Sequence, residues 1–314
     1  MRDLRIVFMG TPDFAVAILD GLINAKFNVV GVITASDKPA GRGRKINESA
    51  VKKYAVEKNL NLLQPTNLKS DGFIAALKAL NANLQIVVAF RMLPKVVWQM
   101  PTYGTFNLHA SLLPSYRGAA PINWAIINGE TKTGVTTFFI DEKIDTGTII
   151  LQEEVLIGDD EIVGELHDKL MTVGSKLVIE TVNQIKQNSV KAYKQPEIEE
   201  KEAPKIFNET CKINWNAPIN TIYNLIRGLN PYPAAWTTLV NNNEELKVKI
   251  YDVKKEVVPH QQIIGTIITS KDEIKVAVKN GFIKIESLQL AGKRKMDALS
   301  LLNGFTFSKN ARVQ

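Results

Sequence analysis

Short unbroken apolar runs recur along the first hundred and ten residues, and stretches of helical period separate them. The runs are LRIVFM (4–9), NVVGVIT (28–34), LQIVVAF (84–90) and GTFNLHA (104–110). A strand covered on both faces is apolar along most of its length, as these largely are, rather than at every second position. Between them lie TPDFAVAILDGLINA, SAVKKYAVEKN (49–59) and FIAALKALN (73–81), which read as helices, and LPKVVWQM, a shorter one. Thr11 is placed as the N-cap of the first, with Pro12 at the first helical position. Strand and helix in strict alternation predict βαβ units and a mainly parallel sheet flanked by helices, an α/β class.

Two further strands, GVTTFFID (134–141) and TIILQEEVLI (148–157), are joined by a short polar turn and read as a hairpin at one side of the sheet. Helical spacing of Leu166, Leu170, Val173, Leu177 and Ile185 predicts a long helix over 161–188. QPEIEEKEAP (195–204) is charged, bounded by proline and nearly free of large apolar groups, and reads as a linker. Beyond it PINTIYNLIRGL reads as a helix stopped by NPYP. The runs AWTTLV, LKVKIYDVKKEVV, IIGTIIT, EIKVAVK and GFIKIESLQL then suggest a small β-barrel. The expected organisation is a catalytic-type domain over 1–194, a linker over 195–204 and a barrel over 205–314.

Composition narrows the function classes. The chain has 314 residues, 45% of them hydrophobic and 23% charged, as in ordinary globular proteins. No apolar run approaches the roughly 20 residues a membrane-spanning helix needs, and the N-terminus lacks a signal-peptide pattern. One cysteine, Cys211, leaves no disulfide to form within the chain, and the expected location is the cytoplasm. His109, His167 and His260 are scattered, so a zinc site of the usual spacing is not available. No short acidic cluster with a suitable turn suggests a carboxylate magnesium site, so no metal is expected. The net charge of +7 is localised. Residues 1–204 carry 23 basic and 23 acidic side chains, residues 205–314 carry 16 and 9. A basic appendage on a neutral body suggests a polyanionic partner, most simply a nucleic acid.

Three segments carry chemistry. GTPDF (10–14) turns from the first strand into a helix N-terminus, but neither a dinucleotide GxGxxG nor a Walker GxxxxGK[ST] occurs. ASDKPAGRGRK (35–45) sets Lys38, Arg42, Arg44 and Lys45 in a glycine-rich loop after the second strand, able to grip phosphates. Open α/β sheets bind ligands at the carboxyl ends of their strands, where this loop falls. Third, Asn107 and His109 are two apart in a strand and point to the same side. Together they can donate to one carbonyl oxygen, each donor worth on the order of 3 kcal/mol in comparable oxyanion sites. Asp145, in KIDTG after another strand, would raise the imidazole pKa, orient the ring or take a proton through water. With no GxSxG elbow, direct transfer is expected over a covalent intermediate.

NLHASLLPSYRGAAPINWAI and DEKIDTGTII resemble the signature of the folate-dependent formyltransferases, and GTPDF, DKPAGRGRK and RGLNPYPAAW extend the likeness through both halves. The resemblance implies a Rossmann-like catalytic domain, a C-terminal barrel of OB type and 10-formyltetrahydrofolate as formyl donor, with no metal. Together with the basic tail it implies charged initiator tRNA as acceptor. No extra amphipathic element asks for a partner, so a monomer is expected, and the absence of long apolar runs argues against a membrane partner. By matched position it makes Asn107, His109 and Asp145 catalytic and assigns Ser111, Leu112, Leu113 and Pro114 to the folate. Arg42 matches a basic insertion that enters the acceptor end of tRNA. VVAFRMLP (87–94) departs from the pattern: it is one residue shorter and has Arg91 where relatives have glycine. Relatives acting on glycinamide ribonucleotide or amino sugars share the catalytic segment, and an RNA-binding module on an inactive body is a non-enzymatic alternative.

Overall fold

The computed structural model describes residues 1–40, 45–197 and 201–314. Met1–Gly118, Gly134–Val155 and His167–Glu202 form one compact unit. Ala119–Thr133, Leu156–Leu166 and Ala203–Gln314 form a second.

The first unit is built on a seven-stranded sheet in the order Ile149–Leu156, Lys132–Phe139, Thr105–His109, Leu84–Val88, Ile6–Gly10, Val29–Ile33, Leu62–Leu63. From Thr105–His109 to the Leu62–Leu63 edge every pairing is parallel. Lys132–Phe139 runs antiparallel to Thr105–His109, with Asn107 opposite Phe138 and His109 opposite Thr136. The two-residue edge strand at Leu62–Leu63 was not foreseen, since two residues carry no measurable period. One face of the sheet sets Val7, Met9, Ile33 and Val87 against Phe73, Leu77 and Val97. On the other, Leu108 lies against Gly174 so closely that a β-carbon there would stand 2.8 Å from Leu108 Cδ2.

The first helix corrects one detail of the sequence reading. It spans Asp13–Asn24 with Pro12, not Thr11, in the cap position. Pro12 is extended and its carbonyl accepts the amides of Ala15 at 3.0 Å and Val16 at 3.2 Å. The first turn therefore begins at Asp13, whose carboxylate suits a helix N-terminus. The second helix, Ala50–Glu57, is capped as its sequence suggests: Ser49 Oγ accepts from the Lys52 amide at 3.0 Å. On either side of the basic segment's centre, Lys38–Ala40 pairs antiparallel with Lys45–Asn47.

The second unit is an antiparallel barrel with the strand order Ile267–Thr269, Ile274–Val278, Gly281–Leu290, Glu244–Val257, Ala235–Asn241, Arg312–Val313. Buried and part-exposed residues alternate along Ala235–Asn241 and most of Gly281–Leu290, the period of a strand with one face inward. The edges meet at Gly265, which donates to Ala277 O at 2.8 Å and accepts from the Val313 amide at 2.9 Å. Its φ of +86° and the 2.7 Å a β-carbon would leave to Val313 O both require glycine. Trp215, Ile222, Ile226, Ile250, Val276 and Ile283 are among the side chains filling the interior. Among the described residues no helix is long and apolar enough to cross a membrane.

Candidate active site

His109 is the last residue of its strand, at the carboxyl end of the sheet where open α/β folds place ligands. Its side chain is 7% exposed, and its Nε2 lies 2.8 Å from the Tyr116 carbonyl. A carbonyl only accepts, so Nε2 carries the hydrogen and Nδ1 is the nitrogen left for chemistry. Nδ1 faces Asp145 Oδ2 at 3.8 Å. Tyr116 has a φ of +61°, unusual for a bulky residue, and it is from this turned backbone that its carbonyl meets the ring.

Asp145 arrives from the turn between the two strands at the antiparallel side. Its own φ is +56°, a left-handed geometry that aspartate tolerates better than most residues. Oδ2 accepts the Gly118 amide at 3.0 Å. Oδ1 has no hydrogen-bond partner among the described residues, so one carboxylate oxygen is held and the other is open to a substrate proton or water. The turn passes so close to the preceding strand that a β-carbon on Gly147 would sit 1.6 Å from Phe139 O. Glycine in D-T-G is therefore a packing requirement.

Asn107 is half-buried in the same strand as His109 and, two residues before it, on the same face. Its amide has no hydrogen-bond partner among the described residues, which leaves both its N–H bonds for a ligand. An amide donor, an imidazole and a carboxylate thus share one strand end, and two of them are within 4 Å. Neutral attack on a carbonyl carbon needs this set: donors for the oxygen that becomes negative and a base for the incoming proton.

Ser111, Leu112, Leu113 and Pro114 follow directly, and the fold engages them heavily. Ser111 Oγ donates to Ser115 O at 2.6 Å, and Thr136 Oγ1 donates to Ser111 O at 2.7 Å. The Leu113 amide donates to Thr136 Oγ1 at 3.2 Å and its carbonyl accepts from Gln152 Nε2 at 3.0 Å. Leu113 itself packs with Phe138 and Ile149. Thr136 and Gln152 thus fix this segment, a role no short motif reveals.

Lys38 is exposed on its short strand. Arg42 and Arg44 lie outside the described residues, as does the side chain of Lys45, whose backbone pairs with Ala40. Arg91 donates through Nη1 to Thr66 O at 3.0 Å, with Nη2 bonded to Pro65 O. No group of three or more histidine, cysteine, aspartate or glutamate side chains among the described residues is placed to hold a metal ion.

An α/β unit with this constellation at its strand ends, followed by an antiparallel barrel, defines a two-domain group-transfer protein. Residues 4–182 match the formyl transferase family and residues 205–306 its C-terminal domain, so the chain belongs to the formyl transferases. Methionyl-tRNA formyltransferase of Flavobacterium johnsoniae is 62% identical over 314 residues, covering 100% of both chains. Its counterpart from Bacteroides thetaiotaomicron is 56% identical and covers 99% of both. An N-formyltransferase from Helicobacter canadensis, solved in complex with folinic acid and dTDP-3-aminofucose, superposes with a TM-score of 0.64. At 20% identity over 93% of this chain and 100% of that one, it shows the shared fold.

Proposed function

We propose that the chain transfers the formyl group of 10-formyltetrahydrofolate to the α-amino group of methionyl-tRNA, producing formylmethionyl initiator tRNA for translation initiation. Full-length identity to methionyl-tRNA formyltransferases supports the substrates. The 3.8 Å approach of Asp145 to His109, beside an unpartnered Asn107 amide, carries the chemistry. The folate is a substrate, consumed and released, and no metal takes part.

The neutral amine attacks the formyl carbon and forms the new C–N bond. Oxygen becomes an alkoxide, held by the Asn107 amide and the Nδ1–H of protonated His109. Asp145 steadies that imidazolium and draws the surplus proton from the attacking nitrogen, directly or through one water. Collapse of the intermediate breaks the bond to N10 of the folate, and that nitrogen leaves with the proton. Atoms and charge balance without a redox partner.

Ser111–Pro114 seat the folate, and Lys38, Arg42, Arg44 and Lys45 grip the acceptor end of the tRNA. Residues 1–194 form the catalytic domain, 195–204 the connection and 205–314 the tRNA-binding barrel. The protein acts as a monomer in the cytoplasm. The test supplies the purified chain and 10-formyltetrahydrofolate with charged initiator tRNA in one assay and a nucleotide-linked amino sugar in another. Formylation of the tRNA and not of the sugar is expected; the reverse would overturn the assignment.

A further inference from the structure

Gln195 stands 50 residues beyond Asp145, in the stretch whose composition reads as linker, yet its side chain is fully engaged. Nε2 donates to Asp145 O at 2.8 Å and to Gly147 O at 2.9 Å. Oε1 accepts from Arg117 Nη2 at 2.7 Å and Nε at 3.3 Å. Arg117 Nε also donates to Asp145 O at 3.1 Å. The Asp145 carbonyl thus receives two side-chain donors, while the Gly118 amide holds its carboxylate at 3.0 Å. A left-handed aspartate in a turn would otherwise be free to revert to commoner backbone angles.

We propose that Gln195 is a positioning residue for formyl transfer: it holds the Asp145–Gly147 turn, and so the Asp145 carboxylate, in reach of His109. Arg117 completes the device by fixing which end of the Gln195 amide faces the turn. The inference rests on the reading of Asp145 as a catalytic residue. Its logic is chemical. One nitrogen with two hydrogens faces two carbonyl oxygens, and one oxygen faces a guanidinium. Glutamate has the same shape and keeps the Arg117 partner, but sets an acceptor against both carbonyls. Gln195 also borders a polar depression of about 480 Å³ with Arg117, Thr146 and Lys194, so a substitution there opens no hole in the apolar core.

The experiment compares Gln195→Glu with the unsubstituted full chain, alone and in an Asp145→Asn background. Turnover of Gln195→Glu is expected to fall about 10-fold or more, with KM for folate and for charged tRNA within roughly threefold. If the two residues act as one unit, the same substitution costs less than about twofold once Asp145 is already Asn. Gln195→Met, of equal length without donors, covers the case in which a carboxylate at 195 prevents folding, and should behave alike. Amide exchange at Gly118, whose acceptor is the Asp145 carboxylate, is expected to quicken roughly 10-fold or more in both variants. Turnover within about twofold of the original, losses that multiply in the double variant, or unchanged Gly118 exchange would each overturn the proposal. Should the unsubstituted chain formylate no charged tRNA, the functional reading falls, and exchange at Gly118 still decides whether Gln195 holds the turn.

Discussion

Asn107, His109 and Asp145 differ in how firmly the fold holds them, and the difference matches the tasks proposed for them. His109 is fixed through Nε2 and Asp145 through Oδ2, while Nδ1 of the ring faces the Asp145 carboxylate at 3.8 Å. Asn107 is held by its strand alone. Asn107→Ala should therefore leave the neighbouring pair in place and lower kcat by about 10²-fold or more, the usual cost of one oxyanion donor, with little change in KM. Gly147→Ala is expected to act differently. A β-carbon 1.6 Å from Phe139 O forces the turn away from the strand and takes Asp145 with it. Its kcat should fall at least as far as that of Gln195→Glu, with faster proteolysis at the turn as the structural readout.

Elements with strong local signals were legible. The apolar strands at 4–9, 84–90 and 104–110 are observed at Ile6–Gly10, Leu84–Val88 and Thr105–His109. Full coverage on both sides leaves such a run no other low-energy fate. The pairing of Lys38–Ala40 with Lys45–Asn47 and the edge strand at Leu62–Leu63 were not legible, because short pairings draw their stability from the partner strand, not from their own residues. In the barrel, Asp252 sits at a bulge in the Glu244–Val257 strand. Burial pushes its carboxyl pKa up, but hydrogen bonds from Ser287, Lys295 and Asn230 outweigh that and hold it below the ordinary value. The stabilisation from a depressed carboxylate is complete above its unfolded pKa of about 3.9 and is lost as pH falls through the lower folded value. Urea midpoints should accordingly drop more steeply on acidification below about pH 4 for the original chain than for Asp252→Asn. The Ile219–Leu229 helix makes a second test. A β-carbon on Gly228 would stand 2.7 Å from Ile127 Cγ1, so Gly228→Ala should cost about 1–3 kcal/mol in urea unfolding.

For the whole molecule, the excess of 16 basic over 9 acidic residues in 205–314 sets the expectation for tRNA. Phosphate-driven binding releases counterions, so KM for charged tRNA should rise roughly 10-fold or more from about 50 to about 200 mM salt. KM for the folate, with few charges, should move far less, and equal shifts would argue against a phosphate-gripping surface. The site itself was half legible. The N-x-H spacing in a strand singles out Asn107 and His109 as candidates and D-T-G after a strand singles out Asp145, and the fold sets Asp145 3.8 Å from His109. Arg117 and Gln195 were not legible as partners of that aspartate, since their meeting depends on the return of a distant, charged segment to the turn. Thr136 and Gln152, which brace Leu113, were hidden for the same reason. The most direct measurement is single-turnover formylation of methionyl-tRNA at saturating folate by His109→Ala and Asp145→Ala, each beside the original chain. The account predicts rates reduced about 10²-fold or more in both, with tRNA affinity retained; near-original rates in both would contradict it.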